Sequence, residues 1–275
     1  MMSPTVAVGL DGSCESLAAA DWAAREAALR RAGLRLVHVG EQQPSSYVPF
    51  AGEAVALPED DRSARMLREV RGRLAHRHPG LRIGADQVDG RTVTGLLAAA
   101  EEHGLLVLGS RGLGLAAGFL FTSVASAVVA RTRRPVILVG AEDGHPAVRD
   151  GAGSTRHRDV VLGLHSPHDA VLDFAFDAAS RRRAPLRVIH DGSDAPLPEL
   201  IGVLRPWREK YPDVEVANEC VVGRPGTHLT DASRDASLVV VGRRTRHTAL
   251  GLHIGPVTQA VLQHAVAPVA VVPHD

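Results

Sequence analysis

The stretches VAVGLDGS (residues 6–13) and VVLGLHSP (residues 160–167) each run a short Val-rich strand pattern into a polar turn. Each is followed by an Ala-rich amphipathic stretch, then by LRLVHV (34–39) in one half and LRVIHD (186–191) in the other. Further along, QVDGRTVTGLLAAA (87–100) aligns with CVVGRPGTHLTDAS (220–233), which sets Gly90-Arg91 on Gly223-Arg224. Both halves close alike, with LLVLGSRG (105–112) leading to RRPVILVG (133–140) and LVVVGRRT (238–245) to VAPVAVVP (266–273). The same landmarks in the same order, twice, mark a duplication.

Short Val/Ile/Leu runs separated by helical patterns specify an α/β fold, a parallel sheet covered on both faces, once per half. In the first half strands are predicted at 4–10, 34–39, 82–88, 104–109 and 135–140, and helices at 15–33, 58–77, 92–103 and 122–132. The second half repeats the strands at 159–164, 186–191, 214–221, 237–242 and 268–273. Residues 142–158 are rich in Gly, Asp, His and Arg without hydrophobic period and read as a linker. The expected organisation is one domain over 1–141 and a second over 159–275, which suits a 275-residue chain. The closing strands, RPVILVG and APVAVVP, are short apolar edges that need covering, so they are expected to lie near each other. The first copy is the longer between its second strand and Gly90, and its excess carries Tyr47 and Phe50. That insertion is a candidate lid; a plain surface loop is the competing reading.

Composition narrows the function. Hydrophobic residues make up 45% of the chain but aromatic ones only 3%, so Ala, Val and Leu must build the cores. The 31 basic and 31 acidic residues balance, which argues against nucleic acid or an anionic membrane as partner. Lys210 is the single lysine, and a P-loop needs a lysine within its Gly-rich stretch, so a Walker-type ATPase is excluded. The only cysteines are Cys14 and Cys220, and no signal or membrane-spanning pattern stands out; a cytoplasmic chain with free thiols is expected. His76 with His78, and His165 with His168, lack further ligands at zinc spacing, so no metal site is predicted.

Ligands of open α/β sheets bind beyond the carboxyl ends of strands, where the strand order reverses. The loops concerned are Gly9-Leu10-Asp11-Gly12-Ser13 and Gly109-Ser110-Arg111-Gly112-Leu113-Gly114. The glycines of the second let backbone N–H groups approach an anion, and Arg111 can pair with it. Thr122 and Ser123 then open a helix, whose free N–H groups form an anion site at the positive end of the dipole. Asp11 can accept hydrogen bonds from ribose or an adenine amino group, or can serve as an N-cap. Taken singly, Gly109 can simply end a strand and Ser123 simply cap a helix.

GSRG at 109–112, nine residues, then Thr122-Ser123-Val124 resembles the universal stress protein signature G-x2-G-x9-G-[ST]. Asp11 after the first strand, the LVHV second strand and the closing RRPVILV resemble that family as well, and the landmarks recur in each half. The resemblance implies two tandem, open-twisted five-stranded parallel sheets of order 3-2-1-4-5, of the adenine nucleotide alpha hydrolase-like type. It also implies a site for ATP or a related adenine nucleotide, with Mg2+ accompanying ATP, and pairing of domains or chains through the closing strands, including a homodimer. Gly9, Leu10, Asp11 and Val39 would then surround adenine and ribose. Gly109, Ser110, Arg111, Gly112, Leu113, Thr122, Ser123 and Val124 would line the phosphates.

Both halves depart from the signature, the second further than the first. Thr122 stands where the signature has its third glycine. In the second half Gly163, Gly242, Arg244 and Gly255 keep their places, but Thr245 replaces a glycine and Pro256 removes both a hydroxyl and an N–H donor. There His165 replaces the acidic residue and Asp191 puts a carboxylate where Val39 would pack on adenine. The expectation is therefore a non-catalytic adenine-nucleotide binder in stress response or signalling, loaded in its first half, with a nucleotide-independent scaffold as alternative.

Overall fold

The computed structural model describes residues 5–40, 59–110, 123–141, 158–191, 197–245 and 254–275. The candidate lid residues Tyr47 and Phe50, the loop residues Arg111, Gly112, Leu113 and Thr122, and nearly all of the expected linker lie outside them. The first half runs β1 (Thr5–Gly9), α1 (Cys14–Leu29), β2 (Gly33–Gly40), α2 (Glu59–Arg77), β3 (Ile83–Asp89), α3 (Thr92–His103), β4 (Leu106–Ser110), α4 (Ser123–Arg131) and β5 (Val136–Gly140). The second runs β6 (Asp159–Leu164), α5 (Asp169–Arg182), β7 (Leu186–His190), α6 (Leu197–Lys210), β8 (Val216–Cys220), α7 (Pro225–Ala232), β9 (Ala236–Arg244), α8 (Pro256–His264) and β10 (Val269–His274).

Each half has the order 3-2-1-4-5 expected from the sequence, and all pairs within a half are parallel. The two sheets do not stay separate. β5 and β10 pair antiparallel, Val136 opposite Val271 and Leu138 opposite Val269, so one ten-stranded sheet runs β3-β2-β1-β4-β5-β10-β9-β6-β7-β8. Two apolar edges that would each be exposed alone thereby satisfy each other's ladder groups.

Alternation along the strands sends neighbouring side chains to opposite faces. Val6, Val8, Leu34, Leu36, Val107 and Ile137 join Leu162, Val240 and Ala270 under α1, α2, α5 and α6. Ala7, Val37, Leu106, Leu108 and Leu138 join Val161, Val239 and Val269 under α3, α4, α7 and α8. Both layers cross the seam. Helix α1 lies close on its layer because Ala19, Ala20, Ala23, Ala24 and Ala27 are fully buried and small.

Helix α1 is shorter than its predicted span of 15–33. It stops at Leu29, Arg31 takes φ +51°, and the Ala32 N–H donates to the Ala27 carbonyl, turning the chain into β2 at Gly33. The second half repeats the device, with Arg183 at φ +50° and Ala184 N–H donating to Ala179. A non-glycine residue takes the left-handed position both times, so the usual glycine stop signal is missing from the sequence.

Candidate functional site

The strand order reverses at β1, which has β2 on one side and β4 on the other, and the described candidates Gly9, Leu10, Asp11, Val39, Gly109 and Ser110 lie at the carboxyl ends of these strands. Leu10 N–H donates to the Val37 carbonyl at 2.8 Å, extending the β1–β2 ladder into the turn. His38 Nδ1 lies 2.7 Å from the Leu10 carbonyl, so that nitrogen carries the proton, and Nε2 accepts from Ser63 Oγ at 3.0 Å. One imidazole thus ties the first turns of α2 to the end of β1.

The turn itself is locked by side chains. Asp11 Oδ1 accepts from the Ser13 N–H at 2.9 Å and from Ser13 Oγ at 2.6 Å, and Ser13 Oγ accepts from the Ser16 N–H at 3.2 Å. Ser13, not Asp11, is the N-cap of α1; the N-cap reading of Asp11 is corrected, because Asp11 stands two residues before the cap and orients it. Gly12 has φ +83°, a conformation costly for residues with a side chain. Asp11 is exposed at the mouth of the crevice.

Gly109, at the end of β4, passes directly under the first turn of α1. A Cβ there would lie 2.5–2.7 Å from backbone atoms of Glu15 and Ser16, so this glycine sets the closeness of helix to strand. At Gly9 the missing side chain leaves space taken by Leu108 and Leu96. Val39 is 9% exposed, and a Cβ on Gly95 of α3 would meet both its methyls at 2.8 Å. Ser110 is buried. Helix α4 starts at Ser123 and Val124, and because it follows β4 its N-terminus lies toward the strand's carboxyl end.

The second-half crevice is built differently. GRRT is not a loop: β9 continues to Arg244, with Arg243 opposite Pro273 and Arg244 opposite His274. The Thr245 N–H donates to the His274 carbonyl at 2.7 Å, and the Thr245 hydroxyl lies 2.9 Å from that oxygen and 3.0 Å from Asp275 Oδ1. A Cβ at Gly242 would meet the His274 ring at 2.9 Å, and that ring stacks on His168 with centroids 3.8 Å apart. The chain's own His274 thus occupies the space over Gly242. At the neighbouring positions, His165 Nδ1 faces the Asp191 carboxylate at 3.6 Å, the Gly163 space is filled by Leu229, and Gly255 precedes Pro256 as an N-cap with no side-chain bond. Sequence reading missed His168 and His274 as partners, since their contact depends on how far β9 and β10 run together.

Burial holds His274 below the usual imidazole range, with the positive charges of Arg243 and Arg244 and the His168 ring adding to the effect and the Asp275 carbonyl opposing it. A lowered folded value means that the neutral ring is the stabilising form. Its contribution is full above the unfolded value of about 6.5 and is lost as pH falls through that value and below. Melting temperature followed from pH 7.5 to pH 5 should therefore fall more steeply in the wild type than in His274→Gln.

Each half is an open parallel α/β unit whose strand order reverses at its first strand, the architecture of the adenine nucleotide alpha hydrolase-like type. The chain belongs to the universal stress protein family, whose model matches residues 2–140 and 193–273. A universal stress protein of Mycobacterium tuberculosis is 33% identical over 97% of this chain and 96% of its own length. The crystal structure of a universal stress protein from Archaeoglobus fulgidus superposes with a TM-score of 0.73 at 18% identity, covering all of both chains. A further universal stress protein, solved in complex with cAMP, is 29% identical over 51% of this chain, with a TM-score of 0.39. Among the described residues no helix is long and apolar enough to cross a membrane.

Proposed function

We propose that this chain binds one adenine nucleotide of the ATP type without turning it over, and that the nucleotide is held by its first half. Two units, 1–141 and 159–275 joined by 142–158, serve as the functional domains, only the first of them loaded. The observation that carries this reading is the contrast between the two crevices. In the first, Asp11, Ser13 and Ser16 organise a turn beside Gly109 and Ser110. In the second, His274 sits over Gly242, His165 faces Asp191, and the first turn of α5 has no side-chain cap.

In this reading Leu10, Asp11 and Val39 define the base and ribose end. Arg111, Gly112, Leu113 and Thr122 join Gly109, Ser123 and Val124 at the phosphates, and Mg2+ would be carried by the phosphates of ATP. The nucleotide-bound state would be the signalling form in a stress response. Denaturing the purified protein and identifying released small molecules by mass spectrometry tests for a resident nucleotide. A ligand confined to the native state adds about 2.7 kcal/mol at 100 times its Kd. Added ATP, ADP or AMP should therefore raise the melting temperature, with calorimetry giving one site per chain. Two equivalent sites would overturn the asymmetry. No binding at millimolar concentration would favour the nucleotide-independent scaffold, the reading supported by Thr122 in place of the signature glycine. ATP turnover above background would replace both with a phosphohydrolase.

A further inference from the structure

Arg243 occupies the position in the second half that Ser110 holds in the first. Being two residues beyond Val241, it points to the α3, α4, α7 and α8 side of the sheet. Because β5 and β10 run antiparallel, the carboxyl end of β9 arrives beside the amino end of β5, where α4 ends. There the Arg243 guanidinium, on a residue only 4% exposed, donates from Nη1 to the Ala130 carbonyl at 3.0 Å and from Nη2 to the Thr132 carbonyl. A cation of the second half thus caps the C-terminus of a first-half helix.

We infer that Arg243 is a positioning residue for the first-half nucleotide site, holding α4 by its C-terminal carbonyls so that its N-terminus, at Ser123, is fixed at the phosphate end. The inference rests on the nucleotide reading above only for its consequence; the clamp itself is made by the two Arg243 hydrogen bonds. Helix α4 has nine residues, a rod of roughly 13 Å, so loosening one end displaces the other. A cation at its C-terminus and an anion at its N-terminus both complement the helix dipole. Arg243→Met keeps most of the side-chain volume but leaves two buried carbonyls unsatisfied, a change felt first in the last turn of α4. A residue of the second-half strand β9 thus supports the first-half helix α4, which gives the second domain a task without a ligand of its own.

The test has a readout with and without nucleotide. Hydrogen exchange of the full chain without added ligand should show amides of residues 124–132 exchanging at least about tenfold faster in Arg243→Met than in the wild type, a size in the range seen for coupling residues. Leu204→Ala, a core truncation in α6 remote from α4, serves as control: it should lower the melting temperature while leaving exchange in α4 unchanged. Calorimetry with ATP should give a Kd about tenfold weaker for Arg243→Met, an intermediate value for Arg243→Lys, which keeps the charge but not the fork, and a wild-type value for Leu204→Ala. Unchanged α4 exchange in Arg243→Met overturns the clamp whatever binds. Faster exchange with an unaltered Kd overturns the positioning role. Faster exchange in a protein whose wild type binds no nucleotide also overturns that role, and sinks the nucleotide reading while leaving the clamp in place.

Discussion

Glu26→Ala is expected to lower unfolding stability by about 3–5 kcal/mol, measured by urea denaturation, because it removes the central anion of a buried charge cluster between the two halves. Glu26 is 1% exposed in α1, and its carboxylate bonds Arg30 Nε at 2.6 Å and Arg182 Nη2 of α5. Arg30 Nη1 also reaches Asp177 at 3.4 Å, and Arg181 binds the same Asp177 at 2.7 Å. Without Glu26, Arg30 and Arg181 are left to share Asp177 while Arg182 loses its carboxylate partner, and two of these guanidinium groups lie over aromatic faces: Arg182 5.7 Å from the Trp22 ring and Arg30 5.2 Å from that of Phe174. The loss comes mainly from uncompensated charge rather than from lost contact area. Replacing all three partners with apolar residues, as Glu26→Leu with Arg30→Met and Arg182→Met, should therefore recover most of the stability lost in the single variant. A triple variant as unstable as Glu26→Ala would show that packing volume, not charge, is what the site supplies.

Glu26 and Arg243 together show where sequence reading stops. Strand and helix positions were legible because their apolar periods repeat in both halves, and Thr245, Pro256, His165 and Asp191 set an expectation of unequal crevices. Periodicity ranks residues as inside or outside, and it places charged residues outside by default. Glu26 and Arg243 are buried because a partner meets them across the seam, and that partner lies far away in sequence. The seam itself was half visible. Apolar β5 and β10 announced that their edges needed covering, but not that antiparallel pairing would merge both sheets and bring the end of β9 to the end of α4. The stretch 243–244 lies beyond the strand predicted at 237–242. It is strand because His274 and Thr245 continue the ladder, and strand length depends on the partner more than on the strand's own residues. In the candidate site, Gly109 was read as room for an anion; the structure gives it a packing task as well, since the first turn of α1 fills the space beside it.

The two glycines that duplication places at the ends of β4 and β9 should respond differently to the same kind of change. At Gly109, an added Cβ lands within 2.5–2.7 Å of the Glu15 carbonyl group and the Ser16 nitrogen, which are backbone atoms in the capped first turn of α1 and cannot swing aside. Gly109→Ala should therefore push α1 off β4, costing about 3 kcal/mol on thermal or urea unfolding. It should also open the Ser13–Ser16 cap, seen as faster hydrogen exchange at the start of α1. At Gly242 the corresponding atoms belong to the His274 ring at 2.9–3.0 Å, the far end of a side chain that can rotate away. Gly242→Ala should cost less than about 1 kcal/mol, and its effect should appear as loss of the His168–His274 stack, visible in imidazole NMR shifts, rather than as global instability. Equal losses at the two positions would mean that His274 is held as rigidly as a helix backbone. In that case the second crevice would be closed by a fixed wall instead of a displaceable side chain.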